Sequence, residues 1–200
     1  MPDFIYLASQ SPRRRQLLEQ MGVRHALLLP GDDEDAESLE AVLPGESPRA
    51  YVRRVTSLKL EAAVKRLQAR ALPPAPVMCS DTTVALGRTI YGKPADDVDA
   101  ARMLGQLSGT THRVLTCVSL WNEGHEKQAL SESRVRFSAM TQAQLQGYIA
   151  SGEPMGKAGA YAVQGRAAEY IEHISGSYTG IMGLPLYETM QLLRSAGLPA

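Results

Sequence analysis

The stretch from Pro76 to Leu86, PVMCSDTTVAL, constrains this chain more than any other. It is apolar almost throughout, as a strand buried on both faces is, yet Asp81 stands at its centre. An ionised carboxylate is costly inside a protein unless a cation or a metal pairs with it. Two readings follow: Asp81 is a functional acid, or the strand ends early in a turn whose backbone Asp81 caps. Gly87-Arg88 can turn the chain into Thr89-Ile90-Tyr91, and Gly92-Lys93-Pro94 ends that second strand. The hairpin then brings Lys93 near Asp81, an acid and a cation at one site.

A second constraint lies at the start of the chain. Phe4 to Ala8 reads as a short buried strand, Ser9-Gln10-Ser11 as a turn, and Pro12 as the opening of a helix that Gly22 closes. Ser11 suits the N-cap, and Pro12 suits the first helical position, where its missing N–H costs nothing. Arg13, Arg14 and Arg15 crowd that first turn, against the helix macrodipole. Either an anion such as phosphate is gripped there by N–H groups, Ser9, Ser11 and guanidiniums, or the turn is a solvated basic one. His25 to Leu29 reads as a second strand. The acidic run Gly31-Asp32-Asp33-Glu34-Asp35 after it is a solvated loop or a metal or catalytic element.

Ser47-Pro48 opens the longest helix, with Tyr51, Val55, Leu58 and Ala62 on one stripe and Arg53, Arg54, Lys65 and Arg66 on other faces. Lys59, beside the stripe, either lies over the core or points into a cleft. A helix is expected from about Asp97 to Leu107, then a hairpin of His112–Trp121 and Gln128–Phe137 around Asn122-Glu123-Gly124. His112 and His125 read as turn or surface residues, since no second ligand stands at metal spacing. Thr141 to Gln144 is a capping box opening a helix to about Ala150. The glycine-dense stretch Ser151–Gly165 is too long for a bare connection, which points to binding, with Lys157 and Gln164 as its notable polar groups. Tyr170–Ile174 reads as a strand, Gly176–Gly183 as a glycine-rich turn, and Pro185–Ser195 as the last helix.

Helices and hairpins interleave, so the pattern predicts a single α/β domain over residues 1–200 with a mixed, partly antiparallel sheet. Twenty-one basic residues balance twenty-one acidic ones, which argues against nucleic acid or anionic membrane as a partner. Any phosphate ligand must be gripped locally. Cys79 and Cys117 form no CxxC and stand near no histidine at ligand spacing, so no zinc site is indicated. No leader or membrane-length apolar run is visible, and a cytoplasmic location is expected. GxGxxG after a strand, GxxxxGK[ST], GxSxG and HExxH are all missing, which removes the dinucleotide, P-loop, serine hydrolase and zincin readings.

Five segments in order, LASQSPRRRQLL, SDTTVALGRTIYGKP, MLGQLSGTTHRVLT, KAGAYAVQG and SGSYTGIMGLPLYET, resemble the Maf proteins, which are nucleoside triphosphate pyrophosphatases. The resemblance implies a long mixed sheet in two lobes around a central cleft, as in the inosine triphosphate pyrophosphatases. It also implies a divalent cation, Mg²⁺ or Mn²⁺, and often a homodimer. On the matching residues, Asp81 would be the proton acceptor and a metal ligand, with Glu34 near the metal. Lys93 and Lys59 would neutralise triphosphate charge. Ser9, Ser11, Arg13 and Arg14 would grip phosphate, and Lys157 is the lysine of the KAG motif. Arg13, Thr82 and Gln164 match the residues that mark the branch acting on dTTP and UTP, and modified uridine triphosphates would be further substrates. A glutamine amide can pair with both the carbonyl and the imide N–H of such a base. The alternative 7-methyl-GTP branch resembles SPWR and SEG where this chain has SPRR and VQG. Another class of reading, a non-catalytic regulator of cell division, rests on the older description of the family as septum formation inhibitors. Two departures stand out: Gly156 replaces the usual aspartate of DKAG, and Ala162 a glycine.

Overall fold

The computed structural model describes residues 3–31, 34 and 38–198. Asp32, Asp33 and Asp35 of the acidic run lie outside these residues. Seven strands form one mixed sheet. Strands β1 (Ile5–Leu7), β2 (His25–Leu27) and β3 (Val77–Leu86) are parallel neighbours, with β1 in the middle. β4 (Thr89–Tyr91), β5 (Thr111–Asn122), β6 (His125–Phe137) and β7 (Ile171–Ser175) continue it antiparallel.

The register on β3 positions the site. Along one edge β5 pairs with β3 continuously from Val77 to Ala85. The other edge is shared: β1 reaches Met78, and β4 takes over only at Val84. Residues 79–83 therefore have no ladder partner there among the described residues, and Asp81 sits in this notch. A strand can hold a carboxylate at its centre because the sheet is open at that point.

The apolar clusters divide at the same place. The outer half of β3, at Val84, packs with α3 (Asp97–Leu107), α4 (Gln142–Ile149) and the segment 160–170. The inner half, at Val77 to Cys79, is sandwiched between α2 (Pro48–Ala69) on one face and α1 (Pro12–Gln20) with α6 (Leu186–Ser195) on the other. Two lobes result, with a cleft of 1110 Å³ between them. Among the described residues no helix is long and apolar enough to cross a membrane.

Most elements fall where local signals put them, with four differences. The long hairpin turns on Glu123 and Gly124 alone, at φ 49° and 84°, so β6 begins at His125 rather than Gln128. Two left-handed residues match the twist of paired strands, which a longer loop would not. Gly176–Gly183 is not a bare turn: Tyr178–Met182 forms helix α5, capped by the Ser177 hydroxyl on the Gly180 N–H and ended by Gly183 at φ 116°. His112 is no surface residue but lies fully buried between Phe137 and Tyr161. On α2 the inward residues are Tyr51, Val52, Val55, Leu60, Ala63 and Leu67, while Leu58 and Ala62 are half-buried and Arg66 is buried. Lys59, Ala62 and Arg66, with the edge of Tyr51, line the cleft, because α2 packs one stripe on the sheet and turns the next toward the notch.

Candidate active site

Lys59 answers the charge of Asp81. Its Nζ donates to Asp81 Oδ1 at 2.5 Å and to Glu40 Oε1 at 2.7 Å. Lys93 Nζ reaches the same Glu40 oxygen at 3.4 Å. The hairpin brings Lys93 to the cluster, as its register requires, but the cation on Asp81 comes from α2. Burial alone would lower the Lys59 ammonium pKa, yet Asp81 and Glu40 outweigh it and hold it raised. Burial likewise pushes Glu40 up, and Lys59 and Lys93 bring it below the usual carboxylate range. Glu40 ends the 3₁₀ turn Ser38–Glu40 and was not visible in the sequence, where it looks like any surface acid. The turn is held over the cleft because the Tyr51 hydroxyl donates to the Glu40 carbonyl at 3.0 Å.

Ser80 and Thr82 point to the opposite face of β3 from Asp81, as alternation demands. There they meet the helix start at Arg14. Its Nε donates to the Gly183 carbonyl at 2.7 Å, Nη1 to Ser9 Oγ at 3.2 Å and Nη2 to Thr82 Oγ1 at 3.4 Å. Thr82 is tied in turn to Thr116 at 2.9 Å, and Ser80 Oγ also donates to the Gly183 carbonyl, at 3.1 Å. Thr82 thus holds Arg14 in place. Burial lowers the Arg14 pKa, opposed by Asp81 across the strand. Ser11 makes no side-chain cap; the Ser11 N–H instead donates to Ser9 Oγ at 3.2 Å. The first turn of α1 keeps no acidic side chain, and Arg13 lines the cleft beside it, its Nη1 on Gln16 at 3.2 Å. Arg15 faces away, paired with Glu19 at the surface.

The facing wall is the loop 151–165. Gly159 N donates to the Gly92 carbonyl at 2.9 Å, which fastens the KAG turn to the GKP turn. Lys157 and Lys93 thereby line one cleft, with Gln164 further along. Lys157 is exposed, and its Nζ lies 3.4 Å from the Met155 carbonyl. The side chain of Gln164 has no hydrogen-bond partner among the described residues, and it is half-buried. Gly156, at φ 72°, keeps the left-handed turn without the carboxylate expected at that place.

Glu34 also lines the cleft, but both its oxygens are engaged by Arg66, at 2.7 and 2.5 Å. The Arg66 guanidinium holds its carboxyl at about 2. Among the described residues no three His, Cys, Asp or Glu side chains converge as a metal cage. Magnesium-type ions need no cage: one or two carboxylates suffice when substrate phosphates and water complete the shell. Asp81 fits that demand, with Oδ1 committed to Lys59. Glu34 would join only by releasing Arg66. Both cysteines are buried, and burial pushes their thiols up to about 12, so neither is a nucleophile.

A carboxylate in a sheet notch, a lysine and arginine lining around it and a neutral amide at the far wall together suit a polyanion carrying a polar ring. Comparison with known proteins agrees in kind. The family described as Maf-like protein matches residues 4–196. The chain is 69% identical over 98% of its length to a protein of Albidiferax ferrireducens named dTTP/UTP pyrophosphatase, 98% of which is covered. Proteins of the same name from Polaromonas sp. and Cupriavidus pinatubonensis are 67% and 62% identical, over 98% and 99% of this chain and 97% and 99% of theirs. Among solved structures, the Staphylococcus aureus Ham1 protein aligns with TM-score 0.49 and 12% identity over 96% of each chain. By the span of the family match and these identities, the chain belongs to the Maf family.

Proposed function

We propose that this chain is a nucleoside triphosphate pyrophosphatase acting on dTTP, UTP and modified uridine triphosphates, and that it clears such nucleotides from the cytoplasmic pool. The observation that carries the reading is the Asp81–Lys59–Glu40–Lys93 cluster at the sheet notch, facing Arg14 across β3 and Gln164 across the cleft. Similarity to proteins named dTTP/UTP pyrophosphatase supports the same substrate class.

In this reading the triphosphate lies along the lysines, with its charge met by Lys59, Lys93 and Lys157 and by Arg13, Arg14, Ser9 and Ser11 at the start of α1. Asp81 accepts the proton of a water that attacks the α-phosphorus. The bond from the α-phosphorus to the bridging oxygen breaks, leaving nucleoside monophosphate and pyrophosphate. A divalent cation, Mg²⁺ or Mn²⁺, when bound would polarise phosphoryl oxygens, and Asp81 would hold it. Gln164 reads the base through its amide, with Arg13 and Thr82 completing the selection. No nucleic acid or membrane is required, and a homodimer is the proposed assembly.

Pyrophosphate release from a panel of nucleoside triphosphates with Mg²⁺ or Mn²⁺ tests the proposal. UTP and dTTP should lead the panel, and Gln164→Ala should lose about 1–3 kcal/mol of preference for them. Preference for 7-methyl-GTP would overturn the specificity, and no pyrophosphate from any nucleotide would overturn the activity.

A further inference from the structure

Glu153 belongs to no role described so far, yet three donors converge on its carboxylate. The Tyr148 hydroxyl donates to Oε1 at 2.9 Å, the Arg166 N–H to Oε2 at 3.0 Å and the Ala167 N–H to Oε1 at 3.4 Å. Tyr148 is a fixed post: it lies on α4 and is buried in the outer-lobe core. Arg166 and Ala167 open the 3₁₀ turn Arg166–Tyr170, so the carboxylate takes the N–H groups that such a start leaves unpaired. These donors, with burial opposing them, hold Glu153 ionised below the usual carboxylate range.

Gly165 lies between this clasp and Gln164. A Cβ there would stand 2.3 Å from Glu153 Oε1, and the carboxylate could make room only by giving up its donors. The same glycine closes the loop on itself, its N–H donating to the Ala162 carbonyl at 3.0 Å. Gln164 is therefore flanked by a backbone turn on one side and the pinned glycine on the other. A glutamine amide presents both a donor and an acceptor, and it can offer them to a base only if the backbone that carries it is held at the right distance.

We infer that Glu153 is a positioning residue for nucleobase selection: through Gly165 and the start of the 166–170 turn it fixes the backbone that carries Gln164, and with it the reach of the amide. The inference rests on the proposed base-reading role of Gln164. It adds an anchor to that role: Glu153, eleven residues before Gln164, holds the N–H of Arg166 just beyond Gly165.

The test is the ratio of kcat/KM for UTP over CTP, with thermal melts alongside, in wild type, Glu153→Ala, Glu153→Gln, Gly165→Ala and Gln164→Ala. Leu145→Ala, in the same apolar cluster as Tyr148, is the stability control. Glu153→Ala and Gly165→Ala should narrow the ratio by about tenfold, the scale of one lost hydrogen-bonding anchor. Glu153→Gln, which keeps an acceptor, should restore most of it. Leu145→Ala should lower Tm and leave the ratio unchanged. If Gln164→Ala collapses the ratio while the Glu153 and Gly165 variants keep it, Glu153 is structural only and the inference falls, with base reading intact. If Gln164→Ala leaves the ratio unchanged, base reading itself fails and takes the inference with it. Should Glu153→Ala not fold, Tyr148→Phe decides: it removes one donor, a ratio narrowed by about threefold supports the clasp, and an unchanged ratio overturns it.

Discussion

Acid should weaken this protein through His112. The ring is 1% exposed, with Nε2 2.8 Å from the Tyr161 hydroxyl and the Phe137 and Tyr161 rings edge-on at 5.1 and 5.4 Å. Nδ1 has no hydrogen-bond partner among the described residues. Burial pushes the imidazole down to about 4 from its ordinary value of 6.5. The sign follows from which state takes the proton. Above pH 6.5 the ring is neutral whether the chain is folded or not, and stability is complete. Between 6.5 and 4 only the unfolded chain is protonated, so stability falls by up to about 1.4 kcal/mol per pH unit. The loss at pH 4.5 is about 2.5 kcal/mol, and it levels off below the folded value. Other groups titrate over the same range, so the measurement is a difference: urea denaturation of wild type and His112→Gln from pH 4.5 to 8. Glutamine can keep the bond to Tyr161 but cannot titrate. Its buried amide shifts the whole curve and leaves the slope to report on His112. Wild type should lose about 2.5 kcal/mol more than the variant on acidification. Parallel curves would refute the burial argument.

Asp81→Asn keeps the shape and an oxygen for Lys59 but removes the proton acceptor; turnover should fall by about 10²–10⁴-fold with the melt little changed. Near-native pyrophosphate release would remove Asp81 from the mechanism. Arg14→Lys cannot serve Gly183, Ser9 and Thr82 together, since one ammonium does not span a guanidinium fork. Its KM should rise by about tenfold or more, and an unchanged KM would show that the Arg14 geometry does not matter for the substrate. Glu34, held at about 2 chiefly by its hydrogen bonds from Arg66, contributes stability that is present above pH 4.5 and is lost as pH falls toward 2. The pair is partly solvated, so that contribution is about 1 kcal/mol or less. The gap between wild type and Glu34→Gln should close on acidification, and a gap constant down to pH 2.5 would contradict the pairing.

The element sequence was largely legible because its signals are local. Ser47 caps α2, Thr141 and Gln144 form the capping box of α4, and Asp97–Leu107 is helical over the range its apolar spacing implies. Such signals need only a few neighbouring residues. The exceptions are also local chemistry misjudged: a two-residue left-handed turn at Glu123-Gly124, and a serine-capped helix inside what looked like a glycine turn. Burial was less legible. His112 and Arg66 are polar residues whose environments depend on elements far along the chain, namely the 158–161 turn for one and Glu34 with Leu28 for the other.

By itself the sequence determined that an ionisable group stands in the middle of an otherwise apolar strand, and that an arginine-rich helix start, a lysine turn and a glycine-dense loop are available to meet it. Only the tertiary structure decided where the cleft opens, because the notch exists through register: β1 stops at Met78 and β4 starts at Val84 on the same edge of β3. It likewise decided that Lys59 rather than Lys93 pairs with Asp81, that Glu40 joins both lysines, and that Glu153 pins the loop carrying Gln164. Side-chain spacing along a chain fixes periodicity and caps, whereas the position of a charge in space depends on which segments pack together, and those contacts span from thirteen to more than a hundred residues.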